Sequence, residues 1–387
     1  MRLPHFTPVA TRLCCFLACA PVLGCSGNSP NPAPSGSAPN ETSASQATER
    51  ALPVANDIVR PADKLVTEGD ALSQSGDFAA AIKRYGEAIL AAPERSVIYV
   101  RRADVLVKIG TLNAALKDYD EALRLAPKDA AIYLKRSSVY LFREQIGRAL
   151  GDCNTAIRVD PKSGEAYLLR GNIRLQTGQL DAAIADYDEA IRFSSNPASA
   201  YNNRGVAYRQ KGEFERALAD YTAALEHNSQ SADAYNNRGD ILARRGKLEA
   251  AIADFTEAIR IAPLGSRARE NRGDVYLRLK RPAEAIADFS DLIQRTLKLA
   301  AASGPDVQPG AKLARVYRKR SAALIALDRF DDALADVNEA IGLDSTDADA
   351  FSLRQQLWLK KGQLSKAAAD ERRAAELLLR QLPRDNP

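Results

Sequence analysis

Two residue types recur at a spacing that fixes their chemistry. Arg102, Arg136, Arg170, Arg204, Arg238, Arg272, Arg320 and Arg354 are each followed sixteen residues later by an aspartate: Asp118, Asp152, Asp186, Asp220, Asp254, Asp288, Asp336 and Asp370. A ninth pair, Glu68 and Arg84, keeps the spacing and exchanges the charges. A swap that preserves opposite sign is what direct contact predicts, and the planar guanidinium fork suits a bidentate carboxylate. These pairs are expected to strut one helix against another and fix register, not to catalyse. Catalysis would need clustered nucleophiles, bases or metal ligands. With two His and five Cys in 387 residues, three of the cysteines (Cys14, Cys15, Cys19) inside the first twenty, the chain supplies no such cluster and no disulfide framework. We expect no enzyme, no cofactor, no metal and no small-molecule substrate. The 54 Lys and Arg are nearly balanced by 49 Asp and Glu, which argues against a nucleic-acid partner.

The elements that hold these pairs repeat every 34 residues. Seven frames run without a gap over 62–299, an insertion occupies 300–313, and two more frames start at Ala314 and Ala348, covering 314–381, the last a degenerate cap. The twentieth place is alanine in all nine frames, from Ala81 to Ala367, and the twenty-seventh is alanine in all but one, where Leu292 stands. The fourth place is mostly aromatic, the eighth Gly, Ala or Ser, and the fifteenth Gly in six frames. Proline closes four frames at Pro93, Pro127, Pro161 and Pro263. Each frame therefore reads as two antiparallel helices, glycine ending the first and proline the second. Places seven and twenty-three are equidistant from that turn, so the struts fall level on facing helices. Cys153 stands where other frames have Tyr85, Tyr119 or Tyr187 and reads as a core thiol. His227 reads as a solvated cation at a helix C-terminus.

These columns resemble the tetratricopeptide repeat over residues 62 to about 381. The resemblance implies an all-α fold, a right-handed superhelical solenoid of antiparallel helix pairs, with the first helices lining a groove that binds other proteins as extended peptides or helices. By analogy the groove places are the second, fifth, sixth, ninth and thirteenth. They hold Asn202, Asn203, Asn236, Asn237, Arg244, Asn271, Arg278, Arg315 and Lys319. Asparagine both donates and accepts, so a ladder of asparagines can seat a peptide backbone. A plain solvated face repeated by duplication is the other reading. One subclass of the family clamps a C-terminal carboxylate. Asn271, Arg315 and Lys319 match its later positions, while Asn236 and Asp240 break its earlier ones. Leu134, Leu141, Phe142, Leu168, Leu169 and Leu175 form an apolar stretch that either seats a partner helix or packs neighbouring repeats.

The N-terminus carries a different signal. Residues 1–25 have Arg2 and Arg12 beside about twelve mostly apolar residues, too few to span a bilayer. The end of this segment, Val22-Leu23-Gly24-Cys25, resembles the lipobox of bacterial lipoproteins, which implies lipidation of Cys25 and membrane contact through that lipid alone. Ser26 after the cysteine then implies the outer membrane, facing the periplasm. Residues 26–56 are rich in Pro, Ser and Asn with almost no large apolar side chain, so they cannot offset the entropy of folding and read as a tether. The expected function is a non-enzymatic scaffold of the cell envelope. The rivals are a peptidoglycan-acting hydrolase or its recruiting cofactor, and a soluble secreted adaptor without lipid.

Overall fold

Each frame carries its own stop signals. The residue at place fifteen has positive φ in all nine frames: between 70 and 85° at Gly76, Gly110, Gly178, Gly212, Gly246 and Gly362, and between 57 and 59° at Glu144, Lys280 and Asp328. The next N–H then reaches back five residues, as from Asp77 to the Leu72 carbonyl and from Lys247 to the Leu242 carbonyl, each at 2.9 Å. That bond closes the first helix as a Schellman cap. Where a side chain replaces glycine, the left-handed backbone costs about 1 kcal/mol. Several starts are capped too: Asp77 accepts from Ala80, Ser163 from Ala166, and Asp347 from Ala350.

The computed structural model describes residues 56–303 and 310–381. The signal segment with Cys25, nearly all of the tether and the middle of the insertion lie outside the described residues. The chain divides into two compact units at Ser194. Unit one holds four hairpins: α1 (Asn56–Ser75) with α2 (Phe78–Ala91), α3 (Ser96–Lys108) with α4 (Leu112–Leu125), α5 (Ala130–Phe142) with α6 (Ile146–Val159), and α7 (Gly164–Gln176) with α8 (Leu180–Phe193). Unit two holds five: α9 (Ala198–Gln210) with α10 (Phe214–His227), α11 (Ala232–Arg244) with α12 (Leu248–Ile261), α13 (Arg267–Arg278) with α14 (Pro282–Ser303), α15 (Gly310–Ile325) with α16 (Phe330–Leu343), and α17 (Ala348–Lys360) with α18 (Leu364–Gln381). Among the described residues there is no strand. Within each unit a second helix also packs on the first helix of the next hairpin. The fold class is the all-α solenoid of antiparallel helix pairs. Helix α1 begins six residues ahead of the first frame, with Pro61 inside it, and α14 runs to 22 residues.

Close approach inside a hairpin depends on complementary sizes at places eight and twenty-four. A Cβ added at Gly69, Gly171, Gly205, Gly239 or Gly273 would lie only 2.6–2.8 Å from the ring of Tyr85, Tyr187, Tyr221, Phe255 or Phe289. Where place twenty-four is small, place eight carries a hydroxyl: Ser137 meets Cys153 at 3.2 Å and donates to the Ala149 carbonyl at 2.9 Å. Cys153 is fully buried, and burial pushes its thiol up to about 11, so it stays protonated. The alanines at places twenty and twenty-seven are nearly or wholly inaccessible and let neighbouring helices touch.

The struts close the hairpins. In the eight Arg–Asp pairs Nη2 donates to Oδ1 at 2.6–2.8 Å and Nε donates to Oδ2 at 2.7–3.0 Å. The aspartate side chains are 3–9% exposed. The reversed pair, Arg84 Nε to Glu68 Oε2 at 3.2 Å, is looser, and both partners are more than one-third exposed; it lies in the first hairpin among the described residues. Five of the guanidiniums also reach a third helix. Nη1 of Arg136, Arg170, Arg272, Arg320 and Arg354 donates to Asp120, Asn154, Thr256, Ser290 and Asn338 at 2.7–3.0 Å, side chains on the second helix of the preceding hairpin. An aromatic ring at place four lies 5.4–5.7 Å from most of them, as Tyr235 does beneath Arg238.

Two outcomes are expected. Arg238→Ala strands a buried carboxylate and costs about 3 kcal/mol, whereas Arg238→Asp combined with Asp254→Arg regains much of the loss; chemical-denaturation midpoints of the three variants that add strictly would rule out direct coupling. Glu144→Gly relieves the left-handed turn and raises stability by roughly 0.5–1 kcal/mol, while Gly212→Ala lowers it by a similar amount.

Candidate functional site

The surface left over by the struts is the first-helix face, and in unit one it is wired by a second recurrent contact. The tyrosine at place twenty-four sends its hydroxyl to place nine of the same hairpin: Tyr85 to Asp70 at 2.7 Å, Tyr119 to Asp104 at 2.6 Å, and Tyr187 to Asn172 at 3.0 Å. The same carboxylates take a cation from place six of the next hairpin, Arg101 to Asp70 at 2.6 Å and Lys135 to Asp104 at 2.8 Å. One carboxylate thus ties a hairpin internally and to its neighbour. Sequence reasoning missed this relay, although the fifteen-residue step from Asp or Asn to Tyr is visible in three frames.

In unit two the sequence-predicted residues share this face, but many of their polar groups are already engaged. Asn237 Nδ2 donates to Asn202 Oδ1 at 3.1 Å, Asn271 Nδ2 to Asn236 Oδ1 at 3.0 Å, and Asn202 Nδ2 to Asn203 Oδ1 at 3.0 Å. Asn236 and Asn237 are only 5% and 7% exposed. The asparagines link one first helix to the next through these amide–amide bonds. Arg278 Nη1 donates to the Ala243 carbonyl at 2.8 Å and joins the same stitching. Arg244 is different. It is 62% exposed, and its ion pair is with Asp240 at 3.2 Å.

Arg315 and Lys319 already hold a carboxylate. Arg315 Nε and Lys319 Nζ both lie 2.8 Å from Glu270 Oε1, and Lys319 Nζ also reaches Asp274 Oδ2 at 2.6 Å. Burial opposes ionisation of Glu270, yet the two cations outweigh it and keep the carboxyl below its usual range. Lys319 and Asp274 repeat the contact of place six with place nine seen in unit one. Any ligand carboxylate on these cations must compete with Glu270.

Elsewhere the apolar stretch resolves into packing. Leu134 and Leu141 are buried with Cys153 and Ile173, and Leu169 packs against that cluster, so part of the stretch is core. His227 is exposed as expected, but its ring stacks on Tyr201 with centroids 5.6 Å apart. Among the described residues no group of three His, Cys, Asp or Glu is placed to hold a metal ion. No helix among them is long and apolar enough to cross a membrane.

No curated protein matches the chain in sequence. Solved structures do. MamA is 25% identical, the match covering 42% of this chain and 95% of that one with a TM-score of 0.39. YrrB, described as a TPR protein with an unusual peptide-binding site, is 26% identical over 48% of this chain and 95% of its own, TM-score 0.38. PilF of Pseudomonas aeruginosa is 15% identical over 56% and 99%, TM-score 0.49. The family model described as tetratricopeptide repeat matches residues 66–130, 202–266 and 255–298, and a second, described as TPR repeat, matches 171–208. Matches in both compact units, to a chain that folds as one helix hairpin per 34 residues, make it a member of the tetratricopeptide repeat family.

Proposed function

We propose that this protein is a non-enzymatic scaffold of the bacterial cell envelope, which receives segments of other proteins along the first-helix face of unit two. The observation that carries the reading is a contrast between constant and variable places. In eight of nine hairpins the strut is the same arginine and the same aspartate in the same geometry, whereas the first-helix face changes chemistry from frame to frame. Unit two gives that face amides, Gln210, and exposed cations at Arg244 and Arg267, suited to polar, acidic, extended segments. Among the described residues the strut aspartates, the relay carboxylates of Asp70 and Asp104 and the buried Cys153 thiol are already engaged, which favours the scaffold over a hydrolase.

The same reading places the lipid anchor at Cys25 and the tether at 26–56, with the folded body on the periplasmic side of the outer membrane. Cys25→Ser is expected to move the protein from the membrane to the soluble fraction of cells, since several acyl chains hold a protein stably where none do. Unchanged partition would leave the secreted, lipid-free adaptor as the better reading.

For the receiving face, partners are captured by cross-linking from envelope membranes and titrated calorimetrically. Replacing Gln210, Arg244 and Arg267 together with alanine should weaken binding by a factor of about ten or more, because each polar contact contributes about 0.5–1.5 kcal/mol. Thermal stability should hardly change at these exposed positions. Alanine at Glu215, Glu249 and Glu284, on the second helices, should leave binding unaltered. Equal loss from both sets would move the site away from the first-helix face.

A further inference from the structure

Successive hairpins are joined by two recurrent contacts. The place-seven arginine of one hairpin donates to place twenty-five of the hairpin before it, as Arg136 does to Asp120 and Arg354 to Asn338. Place three enters the apolar cluster around the preceding hairpin's place twenty-four: Ile98 with Tyr85, Ile132 with Tyr119, Ala350 with Val337. The columns keep this chemistry wherever a joint forms. Place three is Ala, Val or Ile in frames two to nine, and place twenty-four is Tyr, Phe, Val or Cys in frames one to eight.

Helices α1 and α18 carry the two halves of such a joint with charges in the key places. On α1, place three is Lys64, place seven Glu68 and place ten Ala71; on α18, place twenty-one is Ala368, place twenty-four Glu371 and place twenty-five Arg372. Glu68 is 38% exposed, and the other five are exposed as well. A polar end is expected of any repeat array, because no neighbour covers it. Polarity alone does not set the signs, however, and here they match. The three-to-twenty-four contact would set Lys64 against Glu371, and the seven-to-twenty-five contact would set Glu68 against Arg372. The latter is the interior contact with donor and acceptor exchanged, and place twenty-five is basic in no other frame. Places ten and twenty-one, which share a cluster in Val139 and Leu116, are alanine on both ends and allow the helices to touch.

We propose that a second copy of this chain covers these faces: α1 of one copy packs on α18 of another in the register of an interior joint, with Lys64 on Glu371 and Glu68 on Arg372. The inference goes beyond the receiving face of unit two and makes no use of it. Such a contact is heterologous, so each added copy brings a fresh end and assembly continues past the dimer. One helix pair with two exposed ion pairs is a small, weak interface whose charges are screened by salt. The joint therefore forms at high protein concentration and low ionic strength, and the charges select the head-to-tail partner.

The test uses the full chain, followed by sedimentation velocity over about a hundredfold range of concentration at about 0.05 M and about 0.5 M salt. The weight-average mass should rise with concentration past that of a dimer at low salt and fall back toward the monomer at high salt. Lys64→Glu and Glu371→Lys each set like charges across the joint, and Arg372→Glu does the same against Glu68, so each should weaken association about tenfold or more. Their melting temperatures should hardly change, since the positions are exposed. Mixed in equal amounts, the Lys64→Glu and Glu371→Lys chains again oppose unlike charges at every joint between unlike chains, and the mixture should associate about as strongly as the parent. Restoration by mixing is a readout that a purely structural effect within one chain cannot give. Should either of these two fold poorly, Arg372→Glu still decides: lost association supports the joint and unchanged association overturns it. A mass that stays monomeric throughout, association that the charge variants leave unaltered, or weakening that mixing fails to restore between folded variants overturns the proposal and leaves the two charged faces as plain solvated caps.

Discussion

The arginine at place seven holds three helices with one planar group. Two of its nitrogens close on the aspartate across the hairpin, and in five frames the third reaches the second helix of the hairpin before it. The aspartates are nearly inaccessible, so their charge is tolerable only while the guanidinium is in place. Replacing a whole buried pair with apolar side chains can be neutral or favourable in proteins, so net stability is a weak reason for keeping it. Register is a stronger one. A helix that slides by one residue loses the bidentate geometry and the size match of places eight and twenty-four together.

That constraint separates what must stay constant from what can vary. Places seven, eight, fifteen, twenty, twenty-three, twenty-four and twenty-seven are committed to the hairpin, while the first-helix face is free to carry different chemistry in different frames. In unit one the face is stitched by carboxylates that take a tyrosine on one side and a cation on the other, and part of its leucine stretch sinks into the core. In unit two the stitching passes to asparagine amides and to Glu270 between Arg315 and Lys319.

The hairpin was legible in the sequence because its signals are local and repeat: a glycine column at the turn, alanine columns at the crossings and an Arg–Asp step whose reversal at Glu68 and Arg84 betrays contact. The first-helix face was legible as a face but not in its use. Asn236 and Asn237 look like open peptide-binding groups on a helical wheel, yet each sits within reach of an asparagine 35 residues away, and side-chain direction between repeats is not contained in the spacing within one. Arg315 and Lys319 likewise look free until the fold lays Glu270 between them, across an insertion that breaks the frame. The third arm of the strut was missed for the same reason. Its acceptors vary from Asp120 to Asn154 to Ser290, so no single residue type marks the column.

As proposed, other proteins attach at the variable first-helix face of unit two and not at the second-helix surface. A photo-cross-linking amino acid placed singly at Gln210, Arg244 and Arg267 on first helices, and at Glu215 and Glu249 on second helices, reads this directly in intact cells. Protein adducts are expected from the first-helix positions and none from the others. Adducts arising from Glu215 and Glu249, with the first-helix positions silent, would contradict it.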